Sequence, residues 1–407
     1  MMRRQTSPQF AIGHVGRQPF DVSDLIQRSK DLGLDRSPQY MAILNHACAD
    51  PSDHEAIEFV LGILQAKELE NLANPNAFRA IAPTELDDVD GQLVIGQTEA
   101  GTIYGINPDA LCRHLLVGGS SGSGKTLTAL LLVSQVLCSC TPAKLVIICR
   151  KRDYRSLQRI SKDLVVIPWQ FYRDNPFRNT PGVNLRAWQN VAAQIIGSLD
   201  LRYPSKSLLL EALHLCCDKI GFSGGKDQPC PTLSDVERAL RKDMKIPKYG
   251  RQADYRDSLE NRLKGIRHHT GQVFDCDPGI DSDRLRKTNV VIETDGMAPE
   301  MRECLVNLCT LRIFMDSMSR GDRTPHLRTL LVMDEAQQVF RRIDEQQPGT
   351  PSLLGEMISQ AREFGLGVVA GAQSVRDLAN CLTANTAHKI LCGVSDLRDL
   401  DEFCRMV

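Results

Sequence analysis

Gly119-Ser120-Ser121-Gly122-Ser123-Gly124-Lys125-Thr126 has the form G-x-x-x-x-G-K-[ST]. These residue types suit the phosphates of a nucleotide. Glycines let consecutive backbone N–H groups converge on a β-phosphate, where a helix N-terminus adds a favourable dipole. Lys125 would bridge the β- and γ-phosphates, and the Thr126 hydroxyl would ligate Mg²⁺. An apolar run from His114 to Gly118 leads into the octet and a helical pattern from Leu127 to Leu137 leads out of it. That is the strand–loop–helix setting the motif requires. The expected nucleotide contacts are the octet itself and Leu127.

A second constellation follows far downstream. Thr329-Leu-Leu-Val-Met-Asp334-Glu335 is an aliphatic strand ending in two carboxylates. Asp334 is expected to hold the water shell of Mg²⁺, and Glu335 to orient and polarise the attacking water. A solvated strand end would carry the same pair, but the phosphate loop upstream favours the catalytic reading. Leu366 to Gln373 is a buried-type strand with Gln373 at its carboxyl end, where ligands collect in an open α/β sheet. Gln373 is therefore placed to sense a γ-phosphate or the attacking water. No N-K-x-D guanine-reading motif is present, so the expected substrate is ATP, with Mg²⁺ as its ion.

Positioning these residues takes a layered α/β core. Strand signals fall at 114–118, 144–149, 164–168, 289–293, 329–334, 366–371 and 388–394, and longer helical patterns separate most of them. Such alternation predicts a mostly parallel sheet flanked by helices. Ahead of it, Gly91 to Ile106 reads as two short β-runs around a turn at Glu99-Ala100-Gly101. The stretch 200–285 interrupts the alternation with charged helical sequence, and Ser234-x-x-Glu237 there has capping-box spacing. The predicted layout is a helical amino-terminal segment over 1–90 and an ATPase core over 91–407. A helical insertion occupies 200–285 of that core.

Composition narrows the class. A chain of 407 residues with 42% hydrophobic and 24% charged residues is globular rather than disordered or fibrous. Lys plus Arg (49) nearly balance Asp plus Glu (50), so any basic surface must be local. The 14 cysteines include no C-x-x-C pair, and His268-His269 has no partner at ligand spacing, so no structural metal site is expected. This cysteine usage fits a reducing cytoplasm. No apolar run is long enough to span a membrane. Phe222-Ser-Gly-Gly-Lys226 imitates the signature loop of transporter ATPases. It lies far upstream of the acidic strand and runs into Pro229 and Pro231, so it reads as a turn.

Together these residues resemble the HerA/FtsK superfamily of hexameric DNA-pumping ATPases, over about residues 92–403. The distinctive stretch is Ser359-Gln-Ala-Arg362-Glu-Phe-Gly365 through Gln373-Ser374, followed by Ala387-His-Lys-Ile-Leu and Ser395-Asp396. The resemblance implies a RecA-like P-loop core and assigns Arg362 as a finger reaching a neighbouring subunit's nucleotide. It places Arg113 close to the phosphates, and the hairpin around Ile95-Gly96 and Gly101 to Ile106 near the bound nucleotide. Two departures stand out. Cys149 occupies a position where the family carries an acid, although Lys151, Asp153 and Tyr154 fit, and a helical segment replaces the amino-terminal β-barrel of HerA proteins.

The resemblance implies an ATPase that translocates double-stranded DNA through a homo-oligomeric, hexameric ring, helicase-like, together with a nuclease or other effector. Between Arg238 and Arg267 ten Lys/Arg face four acids, with Tyr249 and Tyr255 interleaved. Such a segment suits a DNA backbone, or is simply a solvated helical face. Arg150-Lys151-Arg152 is a second candidate. Two alternatives remain: an ATP-dependent switch or scaffold assembling effector subunits, and a conjugation- or secretion-type coupling ATPase. Most coupling proteins carry amino-terminal membrane helices, and no such run is seen here.

Overall fold

The strand signals become seven short strands of one parallel sheet. The computed structural model describes residues 22–50, 53–73, 91–97, 103–139, 141–197, 203–321, 323–341 and 353–406. The chain divides into two units, Met1–Leu86 and Asp87–Val407.

In the first unit, α1 (Val22–Asp31), α2 (Pro38–Ala49) and α3 (His54–Ala73) enclose a core of Leu25, Tyr40, Leu44, Ala47, Ile57, Val60 and Leu64. The spacing of Ile57, Val60 and Leu64 puts one stripe of α3 inward. Ser37 caps α2 by accepting from the Tyr40 N–H, and Pro38 follows at the first helical position. The buried Tyr40 hydroxyl is satisfied by Ser29 at 2.7 Å.

The second unit opens with the antiparallel hairpin β1 (Leu93–Gln97) and β2 (Ile103–Ile106). The expected turn at 99–101 lies outside the described residues. Gly91 is needed where it stands, because a Cβ there would sit 2.2 Å from the Ile106 carbonyl carbon. The large sheet comprises β3 (Leu115–Gly118), β4 (Lys144–Cys149), β5 (Val165–Pro168), β6 (Val290–Glu293), β7 (Thr324–Met333), β8 (Phe364–Ala372) and β9 (His388–Leu391). Their order is β5-β6-β4-β7-β8-β3-β9, with every pairing parallel.

Both faces are covered, which is why the strands read as unbroken apolar runs. Along β4, Val146 and Ile148 enter one core, while Leu145, Ile147 and Cys149 enter the other. The period of two divides a single strand between two layers. The second core packs α4 (Lys125–Cys138) through Ala129, Leu132, Val133 and Val136. The first core takes α5 (Leu185–Gly197), α6 (Tyr203–Ile220), α7 (Leu233–Lys242), α8 (Arg251–Thr270) and α10 (Pro299–Ser319). The short α9 (Ser282–Lys287) precedes β6. α11 (Leu353–Ala361), α12 (Asn380–Asn385) and α13 (Leu397–Met406) complete the unit.

The helices α6 to α9 lie between β5 and β6. The capping box is shifted from its expected residues. Thr232 is the N-cap and Asp235 its reciprocal partner, because Thr232 carries the extended backbone that a cap requires. Ser234 Oγ instead donates to Asp275 at 2.5 Å, and Glu237 is taken by Arg241 and Arg267. A charged pair lies inside the core. Arg312 on α10 pairs with Asp174 at 2.7 Å and stacks 4.6 Å from the Trp188 ring centroid.

Candidate active site

All seven strands run the same way, so their carboxyl ends share one edge. β3 leaves that edge into the glycine loop, and the loop is tied to its neighbours by backbone bonds. The N–H of Gly119 donates to Ala372 O at 3.2 Å, and that of Ser120 to Gly393 O at 2.9 Å. Gly122 and Gly124 sit at φ 79° and 98°, in the left-handed region that glycine alone enters without strain. Lys125 opens α4, and Thr126 lies in its first turn. The Lys125 Nζ donates to Ser120 O at 2.7 Å, folded onto its own loop. Ser123 Oγ is buried without a hydrogen-bond partner. Leu127, expected among the contacts, is 70% exposed. Sequence reasoning gave Ser395 no role. It binds Ser120 through its hydroxyl at 2.8 Å and its N–H at 2.9 Å, fastening the loop after β9 to the glycine loop.

The strand order explains why three distant motifs meet. β8 lies between β3 and β7, so Gln373 emerges between the glycine loop and the acidic pair. Gln373 Nε2 donates to Glu335 Oε1 at 3.1 Å. Burial raises the Asp334 carboxyl to about 6, and the Asp153 and Glu335 charges add to the shift, while Tyr154 and Lys125 oppose it. The Tyr154 hydroxyl donates to Asp334 Oδ1 at 3.4 Å. Burial lowers the Lys125 ammonium, with both carboxylates opposing. Glu335 adopts φ 57°, ψ 47°, a left-handed backbone that costs a non-glycine residue about 1 kcal/mol or more. Such strain is typical of functional sites.

Arg150 is the residue the sequence assigned elsewhere. Counted there with a DNA-facing loop, it donates from Nη1 to both Glu335 oxygens, at 3.1 and 3.0 Å. No motif announces it, because Arg150 and Glu335 meet only through the pairing of β4 with β7. Cys149 is a buried thiol pushed far up by burial, so it cannot replace an acid. Its register partner on the next strand, Glu293, is a buried carboxylate held by Arg155 at 2.6 and 2.7 Å.

Two predicted site residues stand apart. Arg362 precedes β8 whereas Gln373 follows it, and the nine residues of β8 span roughly 30 Å. Arg362 is exposed, and among the described residues its side chain makes no hydrogen bond or salt bridge. The neighbouring Glu363 pairs with Arg323 at 3.4 Å instead. Arg113 needs correction as a contact to its own chain's phosphates. It ends the turn before β3, so the four-residue strand, roughly 13 Å long, separates it from the glycine loop, beyond the reach of an arginine side chain. Both arginines occupy the amino-terminal edge of the sheet, and each perturbs a group there, Arg362 at Cys112 and Arg113 at His388.

The residues at the carboxyl edge fit a nucleotide with Mg²⁺. Asp334 is a half-buried carboxylate raised by burial and by neighbouring acids, and a divalent cation would reverse its electrostatic balance. Among the described residues no group of three His, Cys, Asp or Glu could hold a metal by itself. Thr126 and Asp334 would therefore share the ion with phosphate oxygens, the usual arrangement for Mg²⁺. A hollow of about 650 Å³ lies instead on α8 beside Lys264, Arg267, His268 and His269. Arg267 is already engaged there by Glu237 and Asp275.

The basic segment divides in two. Arg238, Arg241, Arg256, Lys264 and Arg267 are paired with acids of this chain. Lys242, Lys245, Lys248 and Arg251 are exposed, and among the described residues their side chains make no hydrogen bond or salt bridge. Tyr249, 89% exposed, stands among them.

No family model matches the chain, and no curated protein matches it. Solved structures do. VirB4 of Thermoanaerobacter pseudethanolicus superposes with a TM-score of 0.57 at 17% identity, covering 78% of this chain and 88% of that one. The bacterial conjugative coupling protein TrwBdeltaN70, in complex with sulphate, gives 0.56 at 18% identity over 78% of both chains. The plasmid coupling protein TrwB, in complex with ADP and Mg²⁺, gives 0.55 at 18% over 76% of this chain and 77% of that one. Among the described residues no helix is long and apolar enough to cross a membrane. With its seven-stranded parallel sheet, its glycine loop leaving β3 and its acidic pair ending β7, the chain has the RecA-like P-loop NTPase fold of VirB4 and TrwB.

Proposed function

We propose that this chain is a Mg²⁺-dependent ATPase that works as a ring and moves double-stranded DNA in the cytoplasm, in company with a nuclease or other effector. The observation that carries the reading is the 3.1 Å contact between Gln373 and Glu335, which joins the strand beside the glycine loop to the acidic pair. TrwB, solved with ADP and Mg²⁺, supports the choice of substrate and ion through its shared fold.

The glycine loop binds the phosphates through its N–H groups, and Lys125 leaves Ser120 O to bridge the β- and γ-phosphates. Mg²⁺, held through Thr126 and Asp334, would neutralise charge on the phosphate oxygens. Glu335 accepts the proton of the attacking water, and Gln373 reports the γ-phosphate to it. Arg362, and Arg113 beside it at the other edge, serve the nucleotide of a neighbouring subunit. The DNA backbone lies against Lys242, Lys245, Lys248 and Arg251, with Tyr249 among them.

Purified protein assayed for phosphate release with and without double-stranded DNA tests this. Lys125-dependent hydrolysis that DNA stimulates is expected. Absence of hydrolysis overturns the ATPase reading, and hydrolysis indifferent to DNA favours the switch or scaffold. The likeness to VirB4 and TrwB supports a second reading, a coupling ATPase that passes its substrate to another assembly. DNA stimulation that appears only with an added partner complex would favour it.

A further inference from the structure

A carboxylate accepts about four hydrogen bonds, and donors of this chain fill every one on Glu335. Oε1 takes Arg150 Nη1 and Gln373 Nε2, while Oε2 takes Arg150 Nη1 and Gln338 Nε2. A base saturated in this way has no lone pair left for water. It cannot orient a nucleophile until one donor leaves.

The three donors differ in how easily they leave. Gln338 is itself anchored, since its Oε1 accepts from Arg302 Nη1 at 3.0 Å. Gln373 is fixed at the end of a central strand, and its N–H donates to Gln337 Oε1 at 3.4 Å. Arg150 is on the loop after β4, its side chain 51% exposed while that of Glu335 is 11% exposed. It supplies two of the four bonds and the only formal charge. Lys151 and Arg152 follow it, so the loop attracts anions.

We propose that Arg150 is a latch, a positioning residue that holds Glu335 out of use until a phosphate draws the guanidinium away. The inference rests on Glu335 serving ATP hydrolysis. Guanidinium pairs with phosphate as readily as with carboxylate. The competing phosphate comes either from the γ-position of ATP or from a DNA backbone crossing the Arg150-Lys151-Arg152 loop. Opening the latch frees both oxygens of one carboxylate, and no covalent step is involved.

The test measures kcat and KM for wild type, Arg150→Ala and Arg150→Lys, each with and without double-stranded DNA. Arg150→Ala should raise the DNA-free kcat about fivefold, equivalent to about 1 kcal/mol of barrier, at unchanged KM. Arg150→Lys keeps the charge on a different donor group and should fall between wild type and Arg150→Ala. If DNA phosphate opens the latch, Arg150→Ala without DNA equals wild type with DNA, and DNA adds nothing more. If the γ-phosphate opens it, DNA stimulates both proteins by one factor. A merely structural role would lower kcat or the melting temperature rather than raise kcat. A DNA-free kcat at or below wild type for both variants overturns the latch. So does a double variant, Arg150→Ala with Glu335→Gln, that exceeds Glu335→Gln by the same factor, because the gain would then bypass Glu335. If neither wild type nor Arg150→Ala hydrolyses ATP, the ATPase reading falls as well. If wild type hydrolyses and Arg150→Ala is no faster, only the latch falls.

Discussion

Arg362 should act on a neighbour's nucleotide, and mixed rings are the means of seeing it. The nine residues of β8 put Arg362 roughly 30 Å from Gln373, several times the length of an arginine side chain, so action in its own chain is excluded by geometry. An arginine supplied to the transferred phosphoryl contributes roughly 10³-fold or more in rate. The competing role, an ion pair on its own surface, would contribute only about 0–1 kcal/mol, and Glu363 is already taken by Arg323. Arg362→Ala should therefore lower kcat by about three orders of magnitude with little change in melting temperature. Mixing it in equal amounts with Lys125→Ala restores intact sites wherever an Arg362→Ala subunit's loop faces a Lys125→Ala subunit's arginine. With random assembly that is about a quarter of interfaces in a head-to-tail ring, so phosphate release should recover toward about a quarter of the wild-type rate. Native mass spectrometry confirms that the mixed rings exist. If they form and hydrolyse nothing, the reasoning fails.

Lys125→Ala should abolish ATP hydrolysis, whereas Glu335→Gln should stop turnover yet retain bound nucleotide, because Asp334 still serves the ion. Filter binding beside phosphate release separates the two, and wild-type turnover by Glu335→Gln would remove Glu335 from the mechanism. Neutralising Lys242, Lys245, Lys248 and Arg251 together should reduce the slope of log affinity for DNA against log salt by about 3 to 4. Neutralising the paired Arg241 and Lys264 should barely move it. An equal effect from both sets would contradict the division between free and paired cations. Asp174→Ala leaves Arg312 charged, buried and unpaired, a loss of roughly 3–5 kcal/mol by urea titration. A shift under about 1 kcal/mol would mean that solvent reaches Arg312.

The glycine octet, the acidic pair and all seven strands were legible because each is written in one short run of chain. β-branched and aliphatic residues bounded by turns mark a strand wherever it ends up, and the phosphate loop is a local backbone geometry that Gly122, Gly124 and Lys125 specify together. The capping box slipped to Thr232 and Asp235, because the choice among adjacent polar residues depends on which one has an extended backbone.

What the tertiary structure alone decided is which strand ends lie side by side and which charges find partners. Placing β8 between β3 and β7 brings Gln373 to Glu335, and pairing β4 with β7 brings Arg150 to the same carboxylate. Periodicity carries no information about strand order, since any order buries the same faces. Nearness in sequence also misled. Arg113 is close to the glycine loop along the chain, yet a strand crosses the sheet between them and puts them at opposite edges, while Glu335, far away in sequence, shares the loop's edge. Of the ten cations in the basic segment, Arg238, Arg256 and Lys264 pair with acids on their own helix, whereas Arg241 finds Glu260, and Arg267 finds Glu237 and Asp275, only when α7 packs on α8 and on the loop carrying Asp275. Lys242 at the end of α7, Lys245 and Lys248 on the connection and Arg251 at the start of α8 meet no such acid among the described residues.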